Sequence, residues 1–378
     1  MALISGPRQV GKTTTCRDLG DVYLDWDNED HRTLILQGPG AVATYAGVER
    51  LSQAPVRIVF DELHKYKRWK QFLKGFFDTY ESRFRIMVTG SSRLDVYRQG
   101  GDSLMGRYFL YRMHPLSVGE LCRNEPAVDG LPTPSRLPDE DWQALWQFGG
   151  HPEPFLKRSS RFSGRWQKLR RQQLLREDIR DATSIQDLDQ LSVLARLLAA
   201  SSGDPLIYSE LAKKIRVSEN TIRSWVTTLR AFHFGFVVRP WFRNVSKALR
   251  KEPRWFLRDW SGIDDPGKRA ETFCACHLSK AVETWTDLGM GQFELCYLRD
   301  LQKREVDFVV IRDGQPWFLV EAKYRNTRLS KSLAYFQQQT EAPHAFQIAT
   351  EADYVEADCF AHHSPVLVPA RTLFAQLP

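Results

Sequence analysis

A glycine-containing loop near the start of the chain has the residues needed to bind phosphate. Gly6 to Thr13 read G-P-R-Q-V-G-K-T and directly follow the apolar stretch Ala2-Leu3-Ile4, which predicts a buried strand. Such a loop surrounds an anion with successive backbone N–H groups and a helix N-terminus. Lys12 would neutralise the β- and γ-phosphates, and the Thr13 hydroxyl would bind Mg²⁺. The residues predicted to bind ATP or GTP are Gly6, Pro7, Arg8, Gln9, Val10, Gly11, Lys12, Thr13 and Thr14.

A pair of acids stands where such a site needs a carboxylate. Asp61 and Glu62 follow Val56-Arg57-Ile58-Val59-Phe60, which predicts a strand. Asp61 would hold Mg²⁺ through water, and Glu62 would act as general base on the attacking water. An acidic pair after a strand is also common at helix starts. Combined with the phosphate loop, however, the pair predicts a nucleoside triphosphatase site.

A second set of acids lies in the last third of the chain. Asp307 falls in one predicted strand and Glu321 in the next, with a turn at Asp313-Gly314 between them. Since side chains alternate along a strand, Glu321 and Lys323 point to one face and Asp307 can lie opposite. Two carboxylates on a divalent cation beside a lysine are typical of metal-dependent phosphodiester cleavage. The alternative is a hairpin with surface acids.

The length and composition of the chain limit its possible architectures. At 378 residues with 42% apolar content, the chain is expected to form two or three domains with ordinary cores. We see no signal peptide and no apolar run long enough to cross a membrane, which predicts a cytosolic protein without a membrane partner. The scattered cysteines predict reduced thiols, mostly buried; they are Cys16, Cys122, Cys274, Cys276, Cys296 and Cys359.

The pattern along the chain predicts three domains. Residues 1–138 alternate strand and helix, as in a doubly wound parallel sheet, and end in a Pro- and Gly-rich loop. Residues 139–245 begin with helices over 139–148 and 165–181, interpreted as the lid of the first domain. Residues 246–378 alternate strand and helix again. The predicted fold class is therefore α/β.

A helix-turn-helix pattern lies within the middle domain. Ser209 and Ser218 can each cap a helix, and Phe234 to Arg239 is β-prone, as the wing of a winged helix would be. The second helix would present polar side chains to a DNA major groove, namely Asn220, Arg223, Ser224 and Thr227. Such modules also serve as protein-protein spacers, so a protein partner is the alternative.

The net charge of +7 is compatible with nucleic-acid binding but is also common in chains of this length. The densest basic segment runs from Arg158 to Arg171 and includes Lys168 and Arg170. We interpret it as a solvated helix face. The two alternatives are that this segment contacts nucleic acid or that it contacts nucleotide in a neighbouring subunit.

Taken together, several motifs resemble one family. They are the phosphate loop, F-D-E-L-H-K-Y-K-R-W at 60–69, T-G-S-S at 89–92, G-R at 106–107, H-P-L-S-V-G-E-L at 114–121, G-G-H-P-E-P at 149–154, R-E-D-I at 176–179, V-S-K-A-L-R-K-E-P at 245–253, R-E-V-D-F at 304–308 and V-E-A-K at 320–323. The chain resembles prokaryotic AAA-type P-loop ATPases that carry a winged helix and a C-terminal restriction-endonuclease-like domain of unknown function. The resemblance extends over nearly the whole chain.

The resemblance implies roles for further residues. Ser91 or Ser92 would sense the γ-phosphate, with a plain turn at 90–92 as the alternative. Arg107 would contact the γ-phosphate within the subunit or from a neighbour, and contact from a neighbour would make the protein a homo-oligomer. A PD-(D/E)xK nuclease-like site would place Glu271, Asp307 and Glu321 on the metal with Lys323 as catalytic residue. Gln337 or Gln338 would be auxiliary. Met1 stands five residues before the loop, whereas relatives carry a preceding helix, so we expect incomplete base recognition or a misassigned start.

Two functions follow as hypotheses. The first is an ATP-hydrolysing, DNA-associated protein with a Mg²⁺-dependent nuclease-like C-terminal domain. The alternative is a nucleotide-dependent switch that binds DNA or a protein partner without cutting a strand. A small-molecule kinase would leave two-thirds of the chain without a purpose.

Overall fold

The computed structural model describes residues 1–48, 54–90, 104–123, 130–183, 185–241, 252–325 and 328–378. These residues form two compact units, Met1–His114 and Pro115–Pro378. The polar residues Ser91 and Ser92, predicted to sense the γ-phosphate, lie outside the described residues.

A parallel sheet forms the centre of the first unit. Its strands are β1 (Ala2–Ser5), β2 (Val22–Asp25), β3 (Val56–Asp61), β4 (Phe84–Thr89) and β5 (Phe109–Arg112). They are arranged in the order β2-β3-β4-β1-β5, and every neighbouring pair is parallel. The predicted parallel α/β sheet is therefore confirmed. Because all strands point the same way, the carboxyl ends of β1, β3 and β4 lie at one edge of the sheet.

Helices cover this sheet. They are α1 (Lys12–Leu19), α2 (Glu29–Leu36), α3 (Pro39–Tyr45) and α4 (Trp69–Tyr80). In α4, Trp69, Phe72, Leu73 and Phe76 are buried at helical spacing. The rings of Phe72 and Phe76 meet Phe60 of β3 edge to face, with centroids 5.5 and 5.6 Å away. Each such buried side chain contributes about 1.5–3 kcal/mol, which holds β3 and its terminal acids in place.

The second unit contains many more helices. They are α5 (Val118–Cys122), α6 (Asp139–Phe148), α7 (Pro152–Lys157), α8 (Ser160–Gln173), α9 (Ile179–Ala182), α10 (Leu188–Ala200), α11 (Tyr208–Ile215), α12 (Glu219–Ala231), α13 (Pro266–Asp287), α14 (Lys331–Thr340) and α15 (Ala370–Ala375). A π-helical turn over Leu174–Asp178 separates α8 from α9. The helix predicted over 139–148 is confirmed. The one predicted over 165–181 begins earlier, at Ser160, and is interrupted by the π turn.

The second unit also has a mixed sheet. Its strands are β6 (Gly235–Pro240), β7 (Arg254–Leu257), β8 (Phe293–Arg299), β9 (Glu305–Arg312), β10 (Gln315–Lys323), β11 (His344–Ala349) and β12 (Val366–Pro369), in the order β12-β11-β10-β9-β8-β6-β7. The boundary predicted at residue 245 falls between β6 and β7, an antiparallel pair in this sheet. The first unit also ends at His114 rather than at 138. The division into three domains stays a prediction.

Two helices and a β-hairpin occupy the predicted helix-turn-helix region. The Ser218 side chain caps α12 by accepting a hydrogen bond from the Thr221 N–H, as predicted. Ser209 is not a cap, because α11 already begins at Tyr208. The buried residues of α12 are Ile222, Trp225, Val226 and Leu229. The antiparallel strands β6 and β7 follow α12 in the chain.

Within the described part of the chain, no helix has the length and apolarity to cross a membrane. The cysteines are free thiols and four of them are buried, as predicted.

Candidate nucleotide site and carboxylate cluster

The phosphate loop occupies the turn between β1 and α1. Gly6 has φ +144°, and a Cβ there would lie 2.1 Å from the Met113 carbonyl oxygen, so only glycine fits. Gly11 has φ +100° and immediately precedes α1. The loop therefore ends at a helix N-terminus, where N–H groups without intrahelical partners can bind an anion.

Lys12 lies folded into this loop. Its ammonium donates hydrogen bonds to the carbonyl oxygens of Gly6 at 2.9 Å and Pro7 at 2.6 Å. Burial lowers the pKa of Lys12 to about 8, although Glu62 and Asp61 oppose that shift. Backbone carbonyls are neutral partners, so the positive charge remains available to a phosphate that replaces them. This is the position that the sequence predicted for Lys12.

Asp61 ends β3 and is surrounded by hydroxyl groups. The Tyr23 hydroxyl donates to its Oδ2 at 2.6 Å, and the Thr89 hydroxyl donates to its Oδ1. Burial would raise the pKa of Asp61, but hydrogen bonds from Thr89, Tyr23 and Thr13 outweigh it and lower the pKa. Asp61 is thus an ionised carboxylate in hydrogen-bond contact with Thr13. These two oxygen donors fit Mg²⁺, which prefers hard oxygen ligands.

Glu62 is held beside Asp61 in a left-handed backbone conformation, φ 52°. Its carboxylate lies 3.3 Å from the Lys65 ammonium, and Lys65 also contacts Asp27 at 2.5 Å. The structure therefore brings Lys12, Thr13, Asp61 and Glu62 to one edge of the sheet. Sequence reasoning assigned no role to Lys65, although it stands in the 60–69 motif three residues after Glu62, and it missed Tyr23, which belongs to no motif and reaches the site only through the fold.

Arg107 lies at the opposite edge of the same sheet. Ala2 pairs with Phe109, so residue 107 lies beyond the amino end of β1, whereas the phosphate loop follows the carboxyl end. Its guanidinium pairs with Asp78 at 2.6 Å. The predicted contact with the γ-phosphate of its own subunit is therefore wrong on topological grounds. Contact with a neighbouring subunit's nucleotide stays a prediction.

The carboxylate cluster, defined as Glu271, Asp307 and Glu321, is assembled from three elements of the second unit. Glu271 comes from α13, Asp307 from β9, and Glu321 from β10 with Lys323. The Lys323 ammonium lies 2.8 Å from Glu321 Oε1, and Asp307 Oδ2 accepts from the Ala322 N–H at 2.9 Å. Burial and the nearby charge of Asp307 raise the pKa of both Glu271 and Glu321. The predicted residues are thus brought together.

An arginine that sequence reasoning missed occupies this cluster. Arg254 of β7 places its guanidinium 2.7 Å from Glu271 and 3.7 Å from Asp307, and it also pairs with Glu305. Burial and Asp307 raise the pKa of Glu271 to about 8, against the opposing charges of Arg254 and Lys323. Within the described residues, no three ligating side chains are arranged to hold a metal ion. In this arrangement the cluster does not fit a divalent cation.

The remaining predicted residues are more widely spread. Gln337 donates to the carbonyl oxygens of Ala342 and His363, so its amide belongs to the end of α14. Asn220, Arg223 and Thr227 of α12 are exposed, together with Ser224. Arg223 pairs with Glu219 at 2.6 Å and its guanidinium lies 4.1 Å from the Tyr208 ring centroid. The polar face of α12 is thus exposed, with the Arg223 guanidinium held by Glu219 and Tyr208, and its contact with DNA stays a prediction.

The parallel sheet, the phosphate loop between β1 and α1, and Asp61 at the end of β3 together have the architecture of a P-loop nucleotide-binding module. Residues 1–122 match the AAA domain family. Residues 139–262 match the domain of unknown function DUF8612, and residues 266–362 match the domain of unknown function DUF4143.

Among curated proteins, the chain is similar to the uncharacterized proteins Rv2008c of Mycobacterium tuberculosis and Mb2031c of Mycobacterium bovis. Each is 24% identical over 350 residues, which cover 88% of this chain and 72% of the relative. A solved structure, the Aeropyrum pernix ORC1 protein in complex with DNA, matches at 14% identity. That match covers 72% of this chain and 86% of the other at a TM-score of 0.30, which is too low to bear on fold or function.

Proposed function

We propose that the chain binds and hydrolyses ATP and uses the nucleotide state to control an association with DNA. The observation that carries the proposal is the position of Lys12 in a phosphate loop opposite an ionised Asp61 that contacts Thr13. Mg²⁺, when bound, neutralises phosphate charge and aligns the β- and γ-phosphates. Thr13 and Asp61 are the residues that would hold it.

The chain's own residues supply the other parts of the reaction. The loop N–H groups from Gly6 to Lys12 orient the phosphates, and Lys12 exchanges its two carbonyl partners for phosphate oxygens. Glu62 takes a proton from the attacking water. Its contact with Lys65 fixes the direction of its carboxylate. Fixed charges and N–H groups that stabilise the transferring phosphoryl group usually contribute more to such catalysis than any other single effect.

DNA association is proposed from the helix-turn-helix. The α11 and α12 helices share a buried core with Trp255, and the β6–β7 pair follows them as the wing of a winged helix does. Asn220, Arg223 and Thr227 lie on the exposed face of the second helix, where recognition helices contact base edges and phosphates. A protein-binding role for this face is the alternative.

The carboxylate cluster favours an association with DNA that does not cleave a strand. Arg254 supplies the positive charge that a cation would supply, so the cluster in this arrangement acts as a buried ionic contact within a recognition scaffold. Nuclease activity is the second candidate, favoured by the convergence of Glu271, Asp307, Glu321 and Lys323 on one place. It requires Arg254 to leave the cluster.

One experiment separates these proposals. ATP turnover is measured with and without duplex DNA, and the same DNA is then examined for strand breaks in Mg²⁺ or Mn²⁺. We expect turnover that DNA alters, and no cleavage. Cleavage that Asp307→Asn abolishes would establish the nuclease instead. Absence of turnover under all conditions would refute the ATPase proposal.

A further inference from the structure

A basic groove lies between α8, the π turn and α10 in the second unit. Its volume is about 680 Å³. Four of its lining side chains are cationic: Lys168, Arg171, Arg176 and Arg196. Asp189 is the acid among the lining residues, and Leu175 and Val193 are the aliphatic ones. Pockets for small metabolites are mostly apolar and enclosed, so this lining points to a different kind of ligand.

The cations in the groove are largely uncompensated. Lys168, Arg171 and Arg196 make no ion pair with any of the described residues, and all are exposed. Arg176 approaches Asp189 only to 3.9 Å, and both side chains are mostly in water, where such a pair is weak. By contrast, the neighbouring Arg170 is directed to Asp259 at 3.5 Å. Like charges concentrated without counter-charges repel each other unless an anion binds between them.

The groove is fixed to the same core as the helix-turn-helix. Leu175, at its base, is buried with Leu191 and Leu194 of α10 and with Ile222 and Trp225 of α12. Lys168 and Arg171 are three residues apart on α8 and therefore lie on one face. Among the neutral lining residues, the exposed Gln172 has a side-chain amide of the kind that contacts phosphate oxygens, whereas Gln167 donates to Ser261 and Ser192 donates to the Leu188 carbonyl oxygen.

We propose that this groove binds the phosphodiester backbone of nucleic acid, through Lys168, Arg171, Arg176 and Arg196. The inference rests on the proposed DNA association and extends it to a second surface. The groove supplies affinity without base specificity, since charged contacts to phosphates carry no direct sequence information. The α12 face would then supply the sequence-dependent contacts.

The test is the salt dependence of binding to a fluorescent duplex of about 30 base pairs. Removing one cation that neutralises a phosphate lowers the slope of log K against log [salt] by about 0.9. The double variant Arg171→Gln/Arg196→Gln is compared with Lys303→Gln/Lys331→Gln, which removes the same charge from exposed positions on the β8–β9 connection and α14. We expect the slope of the groove variant to fall by about two and its affinity at about 100 mM salt to fall about tenfold or more. The control variant should stay close to wild type.

The outcomes are distinguishable. If the wild type binds duplex DNA and both double variants behave alike, the groove proposal is overturned while the DNA association stands. In that case, a lower affinity of the Arg223→Gln variant for the duplex would assign the DNA contact to α12 alone. If the wild type binds no duplex at any salt concentration, the DNA part of the proposed function fails and the groove proposal falls with it.

Discussion

The two acidic sites of this protein contain similar residues in different electrostatic surroundings. In the nucleotide site, Asp61 is contacted by neutral hydroxyl groups and Lys12 by neutral carbonyl groups. In the carboxylate cluster, Glu321 is paired with Lys323, and Glu271 and Asp307 with Arg254. The first site therefore keeps the charges of Asp61 and Lys12 available to a ligand, although Glu62 is paired with Lys65. The second compensates them within the protein.

The reason for the difference is the cost of burying charge. Carboxylates removed from water must be paired, coordinated to a cation or protonated. Asp61 is kept ionised by hydrogen bonds, whereas Glu271 has a raised pKa even with an arginine beside it. Acids at strand ends thus indicate a site, but the position of the nearest cationic side chain decides what the site can bind.

The largest effect is expected from Lys12→Ala. ATP turnover should fall below detection, because the phosphates lose their principal fixed counter-charge. Steady-state phosphate release measures this. The matched control is Lys67→Ala, an exposed lysine of the same unit, which should retain the wild-type rate. Equal rates in the two variants would show that the loop is not the catalytic site.

Arg254→Ala should lower the free energy of unfolding by about 3–5 kcal/mol, as expected when one partner of a buried ion pair is removed. Chemical denaturation measures this. Arg299→Ala is the control, because Arg299 also contacts Glu305 but its side chain is 37% exposed against 12% for Arg254. Added Mn²⁺ should restore part of the stability of Arg254→Ala and leave wild type unchanged. Equal Mn²⁺ effects on both proteins would mean that Arg254 does not keep cations from the cluster.

Glu62→Gln should reduce ATP turnover by about 100-fold, the lower end of what a general base contributes. Nucleotide affinity should remain, because the amide still fits beside Asp61 and makes no phosphate contact. Calorimetric titration and single-turnover assays separate the two quantities. Glu29→Gln, whose side chain is 89% exposed in the wild type, serves as control. Turnover at the wild-type rate in Glu62→Gln would assign the base to another group.

The smallest effect is expected from Arg107→Ala, which should leave the affinity for ATP unchanged. Arg107 lies at the edge of the sheet opposite to the phosphate loop, and its partner Asp78 is on α4. Titration with a fluorescent ATP analogue at low protein concentration measures this. A tenfold weakening of affinity there would contradict the topological argument. A reduction of turnover only at high protein concentration would support contact between subunits.

Much of the first site was predictable because its determinants are contiguous. The strand before Gly6, the helix from Lys12 and the strand before Asp61 all appear where the sequence places them. The convergence of Glu271 with Asp307 and Glu321 was implied only by family resemblance, since no local pattern relates α13 to β9 and β10. Tyr23 and Arg254 were missed because neither belongs to a motif.

The sequence by itself determined the phosphate loop and its acidic pair. Their chemistry depends on backbone N–H groups and side chains that are adjacent in the chain, so a short pattern carries it. Tertiary structure alone decided whether the acids at 271, 307 and 321 are open to a cation. The guanidinium of Arg254 reaches Glu271 and Asp307 only when β7, β9 and α13 pack together, and Lys323 pairs with Glu321 on β10. A counter-charge acts through distance in space rather than separation in sequence.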